Sequence, residues 1–157
     1  MKAAIYVRVS RKDLNLENQL NPLTEYADRH GWEYKVFQEK ESTRKTRPVQ
    51  YNLFKRLSRK EYDVLLIYKL DRWARSLKEL IEHLDALINK GVKVISYTEN
   101  LDFSNSMGRL IYHIIGSFAE FERDLIRERT IAGLDRARRQ GKKLGRPRKH
   151  RVKKGGM

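Results

Sequence analysis

The chain has no cysteine, and that single absence removes disulfides, thiolate zinc sites, iron–sulfur clusters and cysteine nucleophiles together. Its longest uncharged apolar runs fall far short of the ~18 residues of a membrane-spanning helix. No secretory leader opens it: Met1-Lys2 runs straight into Ala3-Ala4-Ile5-Tyr6-Val7, which reads as a strand. The four histidines (His30, His83, His113, His150) are scattered and form no ligand pattern, and neither a P-loop nor a GxGxxG occurs. The expectation is a soluble, cytoplasmic protein that uses no metal and no cofactor.

What is present points to a polyanion. The chain has 157 residues and is 39% hydrophobic, enough for one domain or one domain with an appendage, so it is not a disordered polycation. Its net charge is +15, unevenly placed: residues 136–157 hold 11 of the 35 Lys and Arg and no acid. A near-balanced body with a cationic tail suits nucleic acid, the common polyanion inside cells. The plainer reading is a solvated tail that aids solubility. A membrane surface fits worse, since the tail has almost nothing apolar to insert.

Strand and helix signals alternate along the first hundred residues. In the first strand Ile5, Val7 and Val9 face one way, and Tyr6, Arg8 and Ser10 the other. Leu16, Leu20, Leu23 and Ala27 follow helical spacing up to Gly31, with Pro22 marking either the start of that helix or a bend. A second strand is expected at Tyr34–Phe37, a charged loop over 39–47, and a helix from Pro48 carrying Leu53, Phe54 and Leu57. Asp63-Val64-Leu65-Leu66-Ile67-Tyr68 is almost continuously apolar, as in a central strand covered on both faces. Ser76-Leu77-Lys78-Glu79 is a capping box that opens a helix ending before Gly91, and Val92–Tyr97 is the fourth strand.

This order predicts an α/β fold with a mainly parallel, or mixed, central sheet and helices on both faces. From about Ser104 to Arg139 there is no proline, and Met107, Leu110, Ile111, Ile114, Ile115, Phe118, Phe121 and Leu125 keep helical spacing. About 35 residues at ~1.5 Å per residue make a rod of roughly 50 Å. Such a rod outruns a body of this size, so its second half needs another subunit, DNA or both. A break near Gly116 or Gly133 is the competing reading.

The residues that could carry chemistry gather at strand ends, where a parallel sheet places its ligands. Ser10 ends the first strand, with Arg8 two residues earlier on the same face. A strand-end serine is ordinarily a turn or cap residue, but a guanidinium facing a sheet surface needs an anion or a water-filled cleft. The third strand ends in Tyr68-Lys69-Leu70-Asp71-Arg72-Trp73-Ala74-Arg75, where Arg72 and Arg75 are neighbours if the stretch is helical. As structure alone that is an ion-paired cap. Arg47, before Pro48, is expected at the same rim.

One serine among four arginines, without a ligand set for metal, suits a single chemistry. Guanidinium forks match phosphate oxygens and stabilise charge developing on phosphorus. Two-metal phosphoryl transfer would need clustered carboxylates, and Asp71 is the only acid in the group. That leaves a serine oxygen attacking a phosphodiester directly.

Five motifs then fall into register: Tyr6-Val7-Arg8-Val9-Ser10; Asn15-Leu16-Glu17-Asn18-Gln19; Arg47-Pro48; Leu70-Asp71-Arg72-Trp73-Ala74-Arg75; and Glu122-Arg123 with Arg127-Glu128-Arg129-Thr130. In order and spacing, over roughly residues 3–149, they resemble the serine recombinase family of resolvases and DNA invertases. The resemblance implies that Ser10 is the nucleophile, holding a 5′ phosphate as a phosphoserine ester and freeing a 3′ hydroxyl. It implies that Arg8, Arg72 and Arg75 bind the scissile phosphate, that Asp71 takes part in proton transfer, and that Gln19 and Arg47 support the site. Arg123 and Arg129 would lie on the family's long helix, contacting DNA or completing the site; the plainer reading is a solvated ion-pair face with Glu122 and Glu128.

The resemblance also implies double-stranded DNA as partner, and a homodimer that pairs into a synaptic tetramer. Three regions are expected: a catalytic core over 1–103, the long helix over 104–139, and a basic tail over 140–157 with no helix-turn-helix domain. In that tail Lys142, Lys143, Arg146, Arg148 and Lys149 are the expected DNA contacts, Gly145-Arg146-Pro147-Arg148-Lys149 being like a linker that enters an A·T-rich minor groove. The alternatives are an idle DNA-binding or recombinase-regulating protein of the same fold, and a metal-dependent nuclease.

Overall fold

A computed structural model describes residues 1–9, 16–40, 46–142 and 145. The elements run β1 (Lys2–Val9), α1 (Glu17–Arg29), β2 (Glu33–Lys40), α2 (Pro48–Ser58), β3 (Val64–Ile67), α3 (Leu70–Trp73), α4 (Leu77–Asn89), β4 (Lys93–Ser96), β5 (Leu101–Asp102) and α5 (Ser106–Arg139). The sheet has the order β2-β1-β3-β4-β5; its first three pairings are parallel and the last antiparallel. The fold is therefore α/β with a mixed sheet. Chain direction across the sheet reverses between β1 and β3, and at the carboxyl ends of such a switch point α/β sheets place their ligands.

Apolar residues appear on both faces because both are covered. Ala3, Ile5, Val7, Val64, Leu66 and Ile95 pack with Leu23 and Ala27 of α1. Ala4, Tyr6, Leu65, Ile67 and Val94 pack with Leu53 and Leu57 of α2 and Leu80, Leu84 and Leu87 of α4. The near-continuous apolar run of β3 is thus two alternating sets, each with its own core. Arg8 follows Tyr6 at the two-residue period, on the α2 and α4 side.

Pro22 lies inside α1, which removes the reading that the helix starts there, and the helix is anchored by buried Gln19, Leu23 and Ala27. Two local details depart from the sequence reading. Strand β2 runs on through Glu39 and Lys40, paired with Arg8 and Val9, so the expected charged loop begins later than its composition suggested. In the capping box, Ser76 Oγ accepts from the Glu79 amide (3.1 Å), but the Glu79 carboxylate accepts from the amide of Arg75 (2.6 Å), one residue before the cap.

The chain divides into two compact units, Met1–Ala119 and Glu120–Met157. The continuous helix α5 contains both Gly116 and Gly133, so neither breaks it. In the first unit α5 starts under an Asn105 cap, whose Oδ1 accepts from the Gly108 amide (2.8 Å), and Tyr112 donates its hydroxyl to Asp85 of α4. Met107, Leu110, Ile114 and Phe118 stand exposed at helical spacing. In the second unit Phe121, Ile126, Ile131 and Leu134 are exposed. Among the described residues no helix is long and apolar enough to cross a membrane.

Candidate active site

At the carboxyl ends of β1 and β3, backbone carbonyls hold three of the expected side chains, those of Arg8, Gln19 and Arg47. Arg8, near the end of β1, donates from Nε to the carbonyl of Arg72 (3.3 Å) and from Nη2 to that of Asp71 (3.4 Å). Buried Gln19 reaches over from α1 and donates Nε2 to the carbonyl of Arg8 (3.2 Å). Arg47, preceding α2, donates Nη1 to the carbonyl of Trp73 (2.6 Å). Helix α3 ends at Trp73, so that carbonyl has no helical partner of its own and is available. Arg8 and Arg47, distant in sequence, thus meet on the Asp71–Trp73 backbone, and Gln19 joins them through the Arg8 carbonyl.

Electrostatics define the cluster independently. Burial holds the Arg47 guanidinium below its ordinary value, and the positive charges of Arg8 and Arg75 push it down further. Burial raises the Tyr6 hydroxyl, with Glu39 adding to the rise while Arg47, Arg8 and Arg75 oppose it. Arg8, Arg47 and Arg75 therefore act on one volume, bounded by the Tyr6 ring, which meets Trp73 edge-on at 5.1 Å. Glu79 and Tyr6 oppose the lowering at Arg47, and guanidinium groups in such a setting are suited to an anion such as phosphate. The Tyr6 hydroxyl and Gln19 Oε1 are buried without a hydrogen-bond partner among the described residues, leaving open polar valences at this site.

The other expected residues are placed less closely. Asp71 is exposed, and its backbone rather than its carboxylate holds Arg8. Arg72, partly buried, sits at the same turn. Arg123 and Arg129 lie on the solvent-exposed part of α5 in the second unit, and Lys142 is exposed after its end. Ser10, Lys143, Arg146, Arg148 and Lys149 lie outside the described residues. Among those described, no group of three or more His, Asp or Glu side chains is placed to hold a metal ion.

Two residues of the site escaped the sequence reading. Glu39 is 2% exposed and its Oε2 accepts from the amide of Gln50 (2.9 Å), capping the first turn of α2 from a neighbouring strand. Gln50, also buried, donates Nε2 to the Trp73 carbonyl beside Arg47. Glu39 stood in a charged run without periodicity, and only its pairing with Arg8 across β1 and β2 places it here.

Behind Trp73, His83 of α4 stacks on Phe54 (4.4 Å) and meets the Trp73 ring at 5.6 Å, with Nδ1 unpartnered. Burial is the main cause of its lowered pKa, helped by Arg47 and opposed by Glu79 and Glu82. A histidine depressed in the folded state binds protons more readily when unfolded. Stability should therefore decline as pH falls below about 6.5, down to the folded-state value. Urea midpoints compared between wild type and His83→Phe over that range check the sign. The variant should show the shallower decline, and parallel curves would remove His83 from the account.

Comparison with known proteins identifies the family. The family described as "Resolvase, N terminal domain" matches residues 3–143. A transposon Tn917 resolvase from Enterococcus faecalis is 45% identical over 148 residues, covering 94% of this chain and 77% of that relative. The serine recombinase gin of Escherichia phage Mu is 43% identical over 143 residues, covering 90% of this chain and 70% of its own length. The N-terminal catalytic domain of TP901-1 integrase superposes with a TM-score of 0.71 at 32% identity, over 80% of this chain and 98% of that one. A resolvase-family recombinase from Streptococcus pneumoniae, at 21% identity, shares the fold with a TM-score of 0.72 over 88% of this chain and 99% of that one. Matched across residues 3–143 by the family model and 43–45% identical to the Tn917 and gin relatives, the chain belongs to the resolvase family of serine recombinases.

Proposed function

We propose that this chain cuts and rejoins double-stranded DNA at specific sites, with Ser10 as nucleophile and arginines in place of metal ions. The observation that carries the reading is that Arg8 and Arg47, from segments far apart in sequence, both donate to the Asp71–Trp73 backbone at the carboxyl ends of β1 and β3, the segment that also carries Arg72 and Arg75. Ser10 follows directly in the chain, one residue past the end of β1.

In the reaction the Ser10 oxygen forms a bond to phosphorus while the bond from phosphorus to the 3′ oxygen breaks. The hydroxyl proton of Ser10 passes to water, and Asp71 relays a proton from water to the departing 3′ oxygen, so no net proton is gained or lost. Guanidinium groups stabilise the charge that accumulates on the phosphoryl oxygens. The 5′ phosphate remains esterified to serine, so its bond energy is retained and the reverse attack by a 3′ hydroxyl reseals the strand without an external energy source. Gln19 positions Arg8 through its carbonyl.

The functional regions are a catalytic core over 1–103, a helix over 104–139 for assembly and DNA contact, and a basic tail over 140–157. Arg123, Arg129, Lys142, Lys143, Arg146, Arg148 and Lys149 supply phosphate and groove contacts. The exposed Met107, Leu110, Ile114 and Phe118 support a homodimer through α5, two dimers pairing on DNA as a synaptic tetramer.

The test is to incubate the protein with a pool of duplexes of randomised sequence, denature, and recover covalently attached DNA. Expected is a protein–DNA adduct whose phosphate maps to Ser10 by mass spectrometry and whose yield ignores EDTA. An adduct at another residue, or cleavage abolished by the chelator, would overturn the proposal.

A further inference from the structure

We infer that Gln50 is a positioning residue for strand cleavage, holding the arginine cluster through the main-chain carbonyl of Trp73; this rests on the recombinase reading above. Gln50 is the third residue of α2 and is 4% exposed. Both of its donors point at the site framework: the backbone amide to Glu39 of β2, and the side-chain amide to the Trp73 carbonyl. A buried amide left unpaired would be costly, so these bonds fix the side chain in one orientation.

The position of that carbonyl gives the contact its consequence. Trp73 lies between Arg72 and Arg75, and the carbonyl before it, of Arg72, receives Arg8. The Trp73 oxygen receives Arg47, and Gln50 takes its second lone pair. Arg47 is desolvated and repelled by Arg8 and Arg75, with Glu79 and Tyr6 opposing that repulsion, and its direct hydrogen bond is to the Trp73 carbonyl. With Gln50 in place, the peptide unit cannot turn to follow a retreating guanidinium. The start of α2 and the Arg72–Arg75 segment are thereby locked at one oxygen, and the phosphate meets forks already set. Gln50 itself touches no reacting atom.

The expected signature is a loss in the chemical step without loss of DNA binding, because the tail and remaining arginines still hold the duplex. Gln50→Leu keeps the bulk and removes the donor; single-turnover adduct formation on the duplex recovered from the randomised pool should slow by about tenfold to a hundredfold, with Kd unchanged. Gln50→Glu supplies the readout that simple structural damage would not produce. An ionised carboxylate cannot donate to the carbonyl, whereas a protonated one can. Its rate relative to wild type should therefore climb as pH is lowered from about 8 to about 5.5.

Wild-type rates in Gln50→Leu would overturn the inference, as would a Gln50→Glu deficit that is the same at every pH. If Gln50→Leu fails to fold, the Gln50→Glu pH series decides alone. A wild-type chain that forms no adduct refutes the recombinase reading and takes this role down with it, whereas a wild type that cleaves beside an equally fast Gln50→Leu refutes only the role of Gln50.

Discussion

Ser10→Ala is expected to yield no covalent protein–DNA adduct and to lose strand cleavage by a factor on the order of 10⁶, the scale seen when an enzyme loses its nucleophile. The arginines cannot compensate. They stabilise charge on a phosphoryl group under attack, but without the serine oxygen no bond to phosphorus forms, and water is neither positioned nor deprotonated in its place. Binding should be nearly unaffected, since duplex affinity comes from charge neutralised at many phosphates and not from one hydroxyl. Mobility shifts therefore separate the two quantities: unchanged affinity with no adduct on a denaturing gel is the expected pair. Adduct persisting in Ser10→Ala would transfer the nucleophile to another side chain and leave the arginines as a binding feature only.

The second large effect concerns folding. A Cβ added at Gly108 would lie 1.9 Å from the carbonyl oxygen of Asp102 and 2.7 Å from Cα of Phe103. Both are backbone atoms, one in β5 and the other in a fully buried residue just after it, so no flexible side chain can yield. Gly108→Ala must push the start of α5 off the sheet edge, breaking the Asn105 cap and loosening Phe103. A cost of about 3 kcal/mol follows from overpacking of this kind, lowering Tm by roughly 10 °C. Gly116→Ala is the matched control, because nothing lies within 4 Å of its added Cβ. There the same substitution in the same helix should stabilise by about 0.5–1 kcal/mol, through helix propensity alone. Equal melting temperatures for the two variants would show that the close approach of α5 to β5 is not maintained in solution.

Those two glycines show where sequence legibility ends. Gly116 and Gly133 drew notice as points where a long helix might break, yet their positions are open and the helix runs through them. Gly108 carried no signal, since its constraint comes from a strand six residues earlier that turns back against it. The alternation of elements, the doubly covered β3 and the long α5 could be read because they follow from periodicity, which is local. The antiparallel β5, two residues long, is too short to have a period. At the site, Arg8, Arg47, Arg72 and Arg75 could be nominated because strand ends and arginine chemistry are visible in one dimension. Glu39 and Gln50 could not: each is an ordinary polar residue until register and packing bury it.

The order of residues was sufficient for the α/β class, the basic tail and the identity of the charged groups, because these depend on composition and on neighbours a few positions away. Only the tertiary structure decided which groups meet: the β1–β2 register that places Glu39 next to Arg8, the Trp73 carbonyl that gathers Arg47 and Gln50, and the close approach that demands Gly108. Such meetings depend on how far apart chain segments lie in space after folding, and no local pattern of side chains encodes that distance.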